Sequence, residues 1–397
     1  MRIAVVTGTR SEYGIWKPVL RAIAAHPKLD LQLIVTGMHL LRPFGYTIRE
    51  IQRDGWKIAA RVPMYRAQPG GTERGGGESY AAALARGTAG LARAFAKLNP
   101  DVVMVLGDRL EILAAANAAL CQGRLIAHVH GGETAPGQFD EQIRHAVTKM
   151  AHLHFCATKM AGQRIIQMGE NPARVQVVGA PALDSLLEFR QTLPPGAAGT
   201  ERPHQPMLVL HPSSPNATLE YQRTKLILNA LLAKRAQTGP VNSRILAIGP
   251  NNDPGHEGIL RAYREHAAQV ELRLSVSQEE FWRLAETHGL LVGNSSSGII
   301  ELASLRVAVI NLGARQAGRE RSGNVIDIPI DDKALRNALH RVLSDRAFRR
   351  RVASGRNVYG DGHAAPKIAA VLGGVKLARS GRPGDISPVK HFHDLAR

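Results

Sequence analysis

The sequence predicts two doubly wound α/β units joined by a linker, and three observations carry that reading. Its 397 residues are about 2.6 times a ~150-residue domain, long enough for two separate cores. Short Val/Ile-rich runs alternate with longer segments of helical periodicity, the pattern of parallel βαβ units. From Gln191 to Pro206 that rhythm breaks into a stretch rich in Pro, Gly and Ala, the strongest linker signal in the chain. The expected organisation is a first domain over 1–190, a linker over 191–206, a second domain over 207–362, and a C-terminal helix and tail over 363–397.

In the first half, strands are predicted at 3–6, 31–35, 102–106, 125–129, 153–156 and 175–178, each a compact apolar run of strand length. Helices are predicted between them at 15–25, 79–97, 111–121, 142–150 and 159–168. The Gly-rich segment 66–77 reads as a mobile loop. In the second half, strands are predicted at 207–210, 244–248, 270–274, 289–292, 307–311 and 325–328. Helices there cover 219–235, 279–287, 333–343, 346–354 and 364–377. Such sheets bind ligands outside the carboxyl ends of their strands, so two facing units predict a cleft lined by strand-to-helix turns.

Composition narrows the function. Hydrophobic residues at 44% and charged residues at 21% give the balance of a soluble globular protein. Fifty-one Lys+Arg against 33 Asp+Glu leave a net charge of +18, which draws anions without choosing among them. Aromatic residues are only 5%, and no run interleaves them with Lys/Arg, which argues against nucleic acid. The first apolar run, Ile3 to Val6, is too short for a signal sequence, and no stretch is long enough to span a bilayer. Cys121 and Cys156 form no C-x-x-C pair and read as buried free thiols of a cytoplasmic protein.

The polar residues cluster where strands end. After the first strand comes Thr7-Gly8-Thr9-Arg10-Ser11-Glu12-Tyr13-Gly14, in which Arg10 beside a helix N-terminus can hold an anion or can simply be an exposed loop residue. Gly107-Asp108-Arg109 follows a later strand; alone, Asp108 would read as a helix cap. The next strand ends in His128-Val129-His130-Gly131-Gly132-Glu133, and Asp140-Glu141-Gln142-Ile143-Arg144-His145 comes soon after. His128 and His130 alternate, so an extended strand would point both rings the same way, as metal ligands require, but no third ligand is clearly spaced and no metal is assigned. In the second half, turns carry His211-Pro212-Ser213-Ser214, Asn251 in a Gly/Pro/Asn loop, and Gly293-Asn294-Ser295-Ser296-Ser297-Gly298. The last opens a helix, so its hydroxyls and backbone N–H groups can converge on a phosphate. Asn311 to Gln316 adds Arg315 at a further strand end.

Together with Tyr359-Gly-Asp-Gly, these motifs in this order resemble the UDP-N-acetylglucosamine 2-epimerase family, and within it the hydrolysing branch that opens sialic and related nonulosonic acid pathways. The resemblance covers residues 2 to about 362. It implies a fold like that of GT-B glycosyltransferases, with a C-terminal helix crossing back onto the first domain. It also implies a reaction: UDP leaves C1 of UDP-N-acetylglucosamine as the C2 proton is removed, and water adds to the glycal to release N-acetylmannosamine. By the same resemblance Asp108, Asp140, Glu141 and His211 belong to the catalytic set, and Arg109, Asn251, Val276 and Glu301 hold the nucleotide. Arg10, Ser295, Ser296 and Arg315 suit the leaving diphosphate, and Arg144 lies among the substrate contacts. Several relatives have a glutamate where this chain has His130, which leaves His130 and Glu133 as alternative second bases. That departure also points to a substrate altered at C4 or C6, such as UDP-N,N'-diacetylbacillosamine; a GDP-linked amino sugar is a further alternative substrate. No cofactor is expected, and a homodimer or homotetramer is. Rival readings are a GT-B glycosyltransferase, a metal-dependent deacetylase or deaminase, and a nucleotide-sugar sensor without turnover.

Overall fold

A computed structural model describes residues 1–42, 45–66, 79–134, 140–192, 204–238, 244–251, 253–377 and 386–394. Most of the Gly-rich segment 66–77 and of the linker lies outside those residues. The chain forms two compact units, Met1–Ser185 with Tyr359–Arg397, and Leu186–Val358.

The first unit is a seven-stranded parallel sheet. Its elements run β1 (Arg2–Thr7), α1 (Arg10–Ala25), β2 (Asp30–Thr36), α2 (Ile48–Arg53), β3 (Ile58–Val62), α3 (Tyr80–Leu98) and β4 (Val102–Leu106). They continue with α4 (Leu110–Cys121), β5 (Leu125–Val129), α5 (Asp140–Met150), β6 (Leu153–Cys156), α6 (Lys159–Gln167), β7 (Val175–Val177) and α7 (Ala182–Gln191). The strand order β3-β2-β1-β4-β5-β6-β7 reverses direction between β1 and β4. Both faces of the sheet are covered, which is why its strands read as continuous apolar runs. Ile3 and Val5 of β1 join one core with Trp16 and Leu20 of α1, while Ala4 and Val6 join the other with Ile112 and Ala115 of α4. Trp16 is fully buried because its Nε1–H finds a partner, donating to Val6 O at 3.1 Å.

The second unit is a six-stranded parallel sheet. It comprises β8 (Gln205–Val209), α8 (Ala217–Thr238), β9 (Ile245–Ile248), α9 (His256–Glu265), β10 (Val270–Arg273), α10 (Gln278–His288) and β11 (Gly289–Gly293). α11 (Ser296–Ile300), β12 (Ala308–Leu312), β13 (Val325–Ile328), α12 (Asp332–Ser344) and α13 (Arg346–Ser354) complete it. Its order, β10-β9-β8-β11-β12-β13, reverses between β8 and β11. α14 (Ala364–Gly374) returns to the first unit: Ile368 and Leu372 enter the core that holds Trp16. Asp184 caps that helix, its carboxylate accepting from the backbone N–H of Ala364 at 3.0 Å and of Ala365 at 2.8 Å.

The division between the units differs from the linker-based expectation at both ends. Phe189 of α7 packs tilted against Trp282 at 5.3 Å between ring centroids, and Arg190 donates to Ser304 O, so the end of α7 belongs to the second unit. Gln205 and Pro206 pair with Gly289 and Leu290, so β8 begins inside the expected linker. At the far end, Ala180 N–H donates to Tyr359 O at 2.7 Å, and Gly360, at φ +115°, lies against Gly179. Tyr359-Gly-Asp-Gly is thus where the chain re-enters the first unit. Cys156 is buried as expected, but Cys121, the last residue of α4, is exposed. Among the described residues no helix is long and apolar enough to cross a membrane.

Candidate active site

In each unit the polar clusters fall at the ends of the strands that flank the reversal of sheet order, where an open α/β sheet leaves a crevice, and of their next neighbours. In the first unit these are the ends of β1, β4 and β5. Asp108 leaves β4 after Gly107, whose φ of +76° turns the chain sharply. Its carboxylate pairs with Arg144 of α5, which is only 3% exposed. Arg144 also reaches Glu141 Oε2 at 3.3 Å and donates to Glu133 O at 2.9 Å. One buried guanidinium therefore ties together two of the carboxylates expected to move protons. Glu141 holds His145 as well, Oε1 to Nε2 at 3.2 Å.

The two histidines of the His-x-His pair part company. His128 belongs to β5, and its buried ring lies against Gly107 O and Thr148 Oγ1; burial pushes its pKa down to about 3. His130 lies beyond the strand with φ +62°, a left-handed backbone that directs its Nδ1 onto Glu133 Oε1. The carboxylate can only accept, so Nδ1 is the donor in this pair, and the ring's other nitrogen is Nε2. That Nε2 is buried with no hydrogen-bond partner among the described residues. His152 Nδ1 accepts from Ile126 N–H at 3.1 Å, and His154 Nε2 lies 3.1 Å from Glu170 Oε2. Among the described residues no group of three or more His, Cys, Asp or Glu is placed to hold a metal ion.

Beneath Asp108 lies a buried acid pair. Arg109 Nε stands 3.9 Å from Glu12 Oε1 and 3.5 Å from Glu111 Oε2. Gly8 and Gly37 make room for Glu111, since a Cβ on either would come within 2.7 Å of its Cγ. Burial first, and then repulsion from Glu111, push the Glu12 pKa from 4.5 up to about 8. The folded state therefore holds this proton more tightly than the unfolded chain does. The associated stability is complete below pH 4.5 and is lost as pH climbs through about 8. Glu12→Gln mimics the protonated acid and keeps an acceptor for Gly8 N–H, which donates to Glu12 Oε2 at 2.7 Å. The variant should gain on the wild type by up to roughly 1.4 kcal/mol for each pH unit crossed in that window. Urea denaturation at pH 5, 6.5 and 8 measures this; a constant difference across the three would contradict the raised Glu12 pKa.

The second unit's cluster sits at the ends of β8, β9, β11 and β12. Asn251 N–H donates to His211 Nδ1 at 3.0 Å. Burial and the neighbouring Arg315 push the His211 pKa down to about 4, so the ring is neutral. With Nδ1 accepting, the proton must be on Nε2, and His211 is a fixed neutral donor. Arg315 donates to Asn294 O at 3.2 Å and lies 3.9 Å from Asp253. Asp253 in turn accepts from Asn251 Nδ2 at 2.6 Å. Ser295 leads into α11 without spending its hydroxyl on a cap, and Ser296 is that helix's first residue. Glu301 is buried, which raises its pKa, and Trp282 Nε1–H donates to it at 2.6 Å. Val276 lies half-buried in the turn between β10 and α10.

Residues 21–373 match the profile of the family described as UDP-N-acetylglucosamine 2-epimerase. The chain belongs to the UDP-N-acetylglucosamine 2-epimerase family. Similar curated members include the UDP-N,N'-diacetylbacillosamine 2-epimerase (hydrolyzing) of Legionella pneumophila, 33% identical over 95% of this chain and 96% of its own. The UDP-N-acetylglucosamine 2-epimerase of Neisseria meningitidis is 32% identical over 86% and 88%. Among solved structures, the Neisseria meningitidis UDP-GlcNAc 2-epimerase bound to UDP-GlcNAc superposes with a TM-score of 0.78 at 18% identity, covering 94% of this chain and 99% of that one. The Methanocaldococcus jannaschii enzyme in complex with UDP-GlcNAc and UDP gives 0.72 at 19%, over 94% and 99%. These superpositions share the fold of two parallel-sheet α/β units, which is GT-B-like.

For this family member the structure redistributes some of the residues picked out from sequence. Asp108, Glu133, Glu141 and Arg144 are brought together. Arg144, expected among the substrate contacts, is buried and engaged by carboxylates. Arg10 stands apart: it is the first residue of α1, and its Nε turns to Glu50 at 3.2 Å with over half of its side chain exposed. Asp140 opens α5 near enough to Arg109 to stabilise its positive charge. His211, Asn251 and Arg315 are joined through Asp253 and Asn294. Sequence reasoning missed the Glu12–Glu111 pair, since both residues lie at helix starts where an acid ordinarily complements the dipole. It also missed Trp282 as the partner of Glu301, which only the tertiary fold brings within reach.

Proposed function

We propose that this epimerase is of the hydrolysing type, acting on UDP-N-acetylglucosamine to release N-acetylmannosamine and UDP. The observation that carries the reading is the joining of Asp108 and Glu141 through Arg144, with the His130 imidazole, whose Nε2 has no hydrogen-bond partner among the described residues, at the strand ends of the first unit. No carbonyl acidifies the C2 proton of an N-acetylhexosamine, so its removal must be coupled to departure of the diphosphate. A base takes the C2 proton, the C–H electrons form the C1=C2 bond, and the C1–O electrons leave with UDP. Water then supplies hydroxide to C1, and an acid returns a proton to C2 from the opposite face. Asp108 and Glu141 are assigned to these transfers. His130 is assigned as the second base through Nε2, with Glu133 holding its tautomer from the other side, as a carboxylate holds the histidine of a hydrolytic triad. In the second unit, His211 Nε2–H, Arg315 and the Ser295–Ser296 turn are assigned to the diphosphate, whose developing charge needs donors already in place. Glu301 is assigned to the ribose hydroxyls.

A second substrate, UDP-N,N'-diacetylbacillosamine, is favoured by the name of the Legionella relative. Incubation of the protein with each UDP-sugar and no acceptor, followed by mass spectrometry and NMR of products, tests the proposal. Free 2-epimer and UDP in equal amounts are expected. An epimer still linked to UDP would place the enzyme in the non-hydrolysing class, and an intact donor would favour a glycosyltransferase.

A further inference from the structure

Asn294 is the first residue beyond β11, and β8 and β11 are the neighbours between which the second sheet reverses its order. Strand pairing fixes the backbone as far as Val209 and Gly293. His211 lies past the last paired residue, so the ladder does not orient it. Asn294 does. His211 N–H donates to Asn294 Oδ1 at 2.7 Å, and Asn294 Nδ2–H donates back to His211 O at 2.8 Å. The same Nδ2 reaches Ser213 Oγ at 3.2 Å. The Asn294 backbone N–H donates to Val209 O, and its carbonyl accepts from Arg315 Nη1 at 3.2 Å and Gln316 Nε2 at 3.0 Å. At 3% exposure none of these bonds is exchanged cheaply with water. A carboxamide offers a donor and an acceptor side by side, which a peptide group can meet with its own acceptor and donor; aspartate lacks the donor.

We infer that Asn294 is a positioning residue, holding the His211 imidazole and the Arg315 guanidinium in one fixed arrangement that receives the diphosphate of the nucleotide sugar. The inference rests on the proposed function for the identity of the ligand, but not for the arrangement itself. Asn294 joins the turns after β8, β11 and β12 through one side chain and one carbonyl. Loss of the side chain frees the His211 turn, and misplacement of a binding group by about 1 Å is enough to cost on the order of 100-fold.

The test uses the full-length protein with Asn294→Ala and the nearly isosteric Asn294→Asp. In the ligand-free protein, NMR of 15N-labelled histidines follows the His211 ring against pH. The groups facing that ring are Arg315 and Asp253. In the wild type the ring should keep its proton on Nε2 and stay neutral down to about pH 4. In both variants it should titrate closer to the ordinary pH of ~6.5. Calorimetry with UDP should show affinity weakened by roughly 10–100-fold in both variants. Unmoved His211 titration, or unchanged UDP affinity, would overturn the inference, as would failure of both variants to fold, which would make Asn294 structural alone. A wild type that does not bind UDP would instead sink the functional proposal, and the ligand-free titration would still judge the role of Asn294.

Discussion

Asp108→Asn should lower turnover by roughly 10²–10⁴-fold while leaving UDP affinity within a few-fold of wild type. The amide matches the carboxylate in shape and can still accept a hydrogen bond from Arg144, but it cannot take a proton. Arg144 keeps Glu141 and the Glu133 carbonyl, so the buried guanidinium is not stranded. The diphosphate and the ribose are assigned to residues of the second unit, which the substitution does not touch. Steady-state kinetics with calorimetry for UDP separates the two quantities. Near-normal turnover would remove Asp108 from the chemistry, and a parallel loss of affinity would make it a binding residue.

Gly293→Ala should destabilise the second unit by roughly 3–5 kcal/mol and abolish UDP binding where that unit no longer folds. Gly293 ends β11 with φ +154°, and a Cβ there would overlap Val209 O and lie 2.7 Å from Val209 C on the adjoining strand. Both are backbone atoms of a paired strand, so no side chain can swing aside to relieve the overlap. The glycine is what allows β8 and β11 to close at the point where His211 and Asn294 emerge. Thermal unfolding should show a transition lower by on the order of 10 °C. A melting temperature unchanged within error would mean that the strand ends separate without cost.

The buried strands were legible in the sequence because both sheet faces are covered: Val102–Leu106, Leu125–Val129 and Leu153–Cys156 each stand out as an apolar run bounded by polar turns. β3 was not, since Ile58–Val62 is an edge strand with an exposed Arg61 and only Val62 buried. α9 was missed because only Ile259, Ala262 and Tyr263 mark its short buried face, directly after a Gly/Pro/Asn loop. α1 begins five residues earlier than apolar periodicity suggested, because Thr9 caps it by accepting from Glu12 N–H. The site was legible as motifs at strand ends, where function concentrates in such folds. What the motifs could not give is which side chains meet. Spacing suggests that His128 and His130 point together, yet a left-handed backbone at His130 separates them. The Asp108–Arg144 pair spans 36 positions in sequence and exists only through the packing of α5 against α4 and β5.

The central claim is that side chains of this protein exchange the C2 hydrogen of a UDP-linked N-acetylhexosamine as the diphosphate departs. Turnover of UDP-N-acetylglucosamine in deuterated water, with NMR of the released sugar, tests it most directly. One solvent deuteron at C2 of free N-acetylmannosamine is the predicted result. Free sugar that retains its original hydrogen at C2 would contradict it.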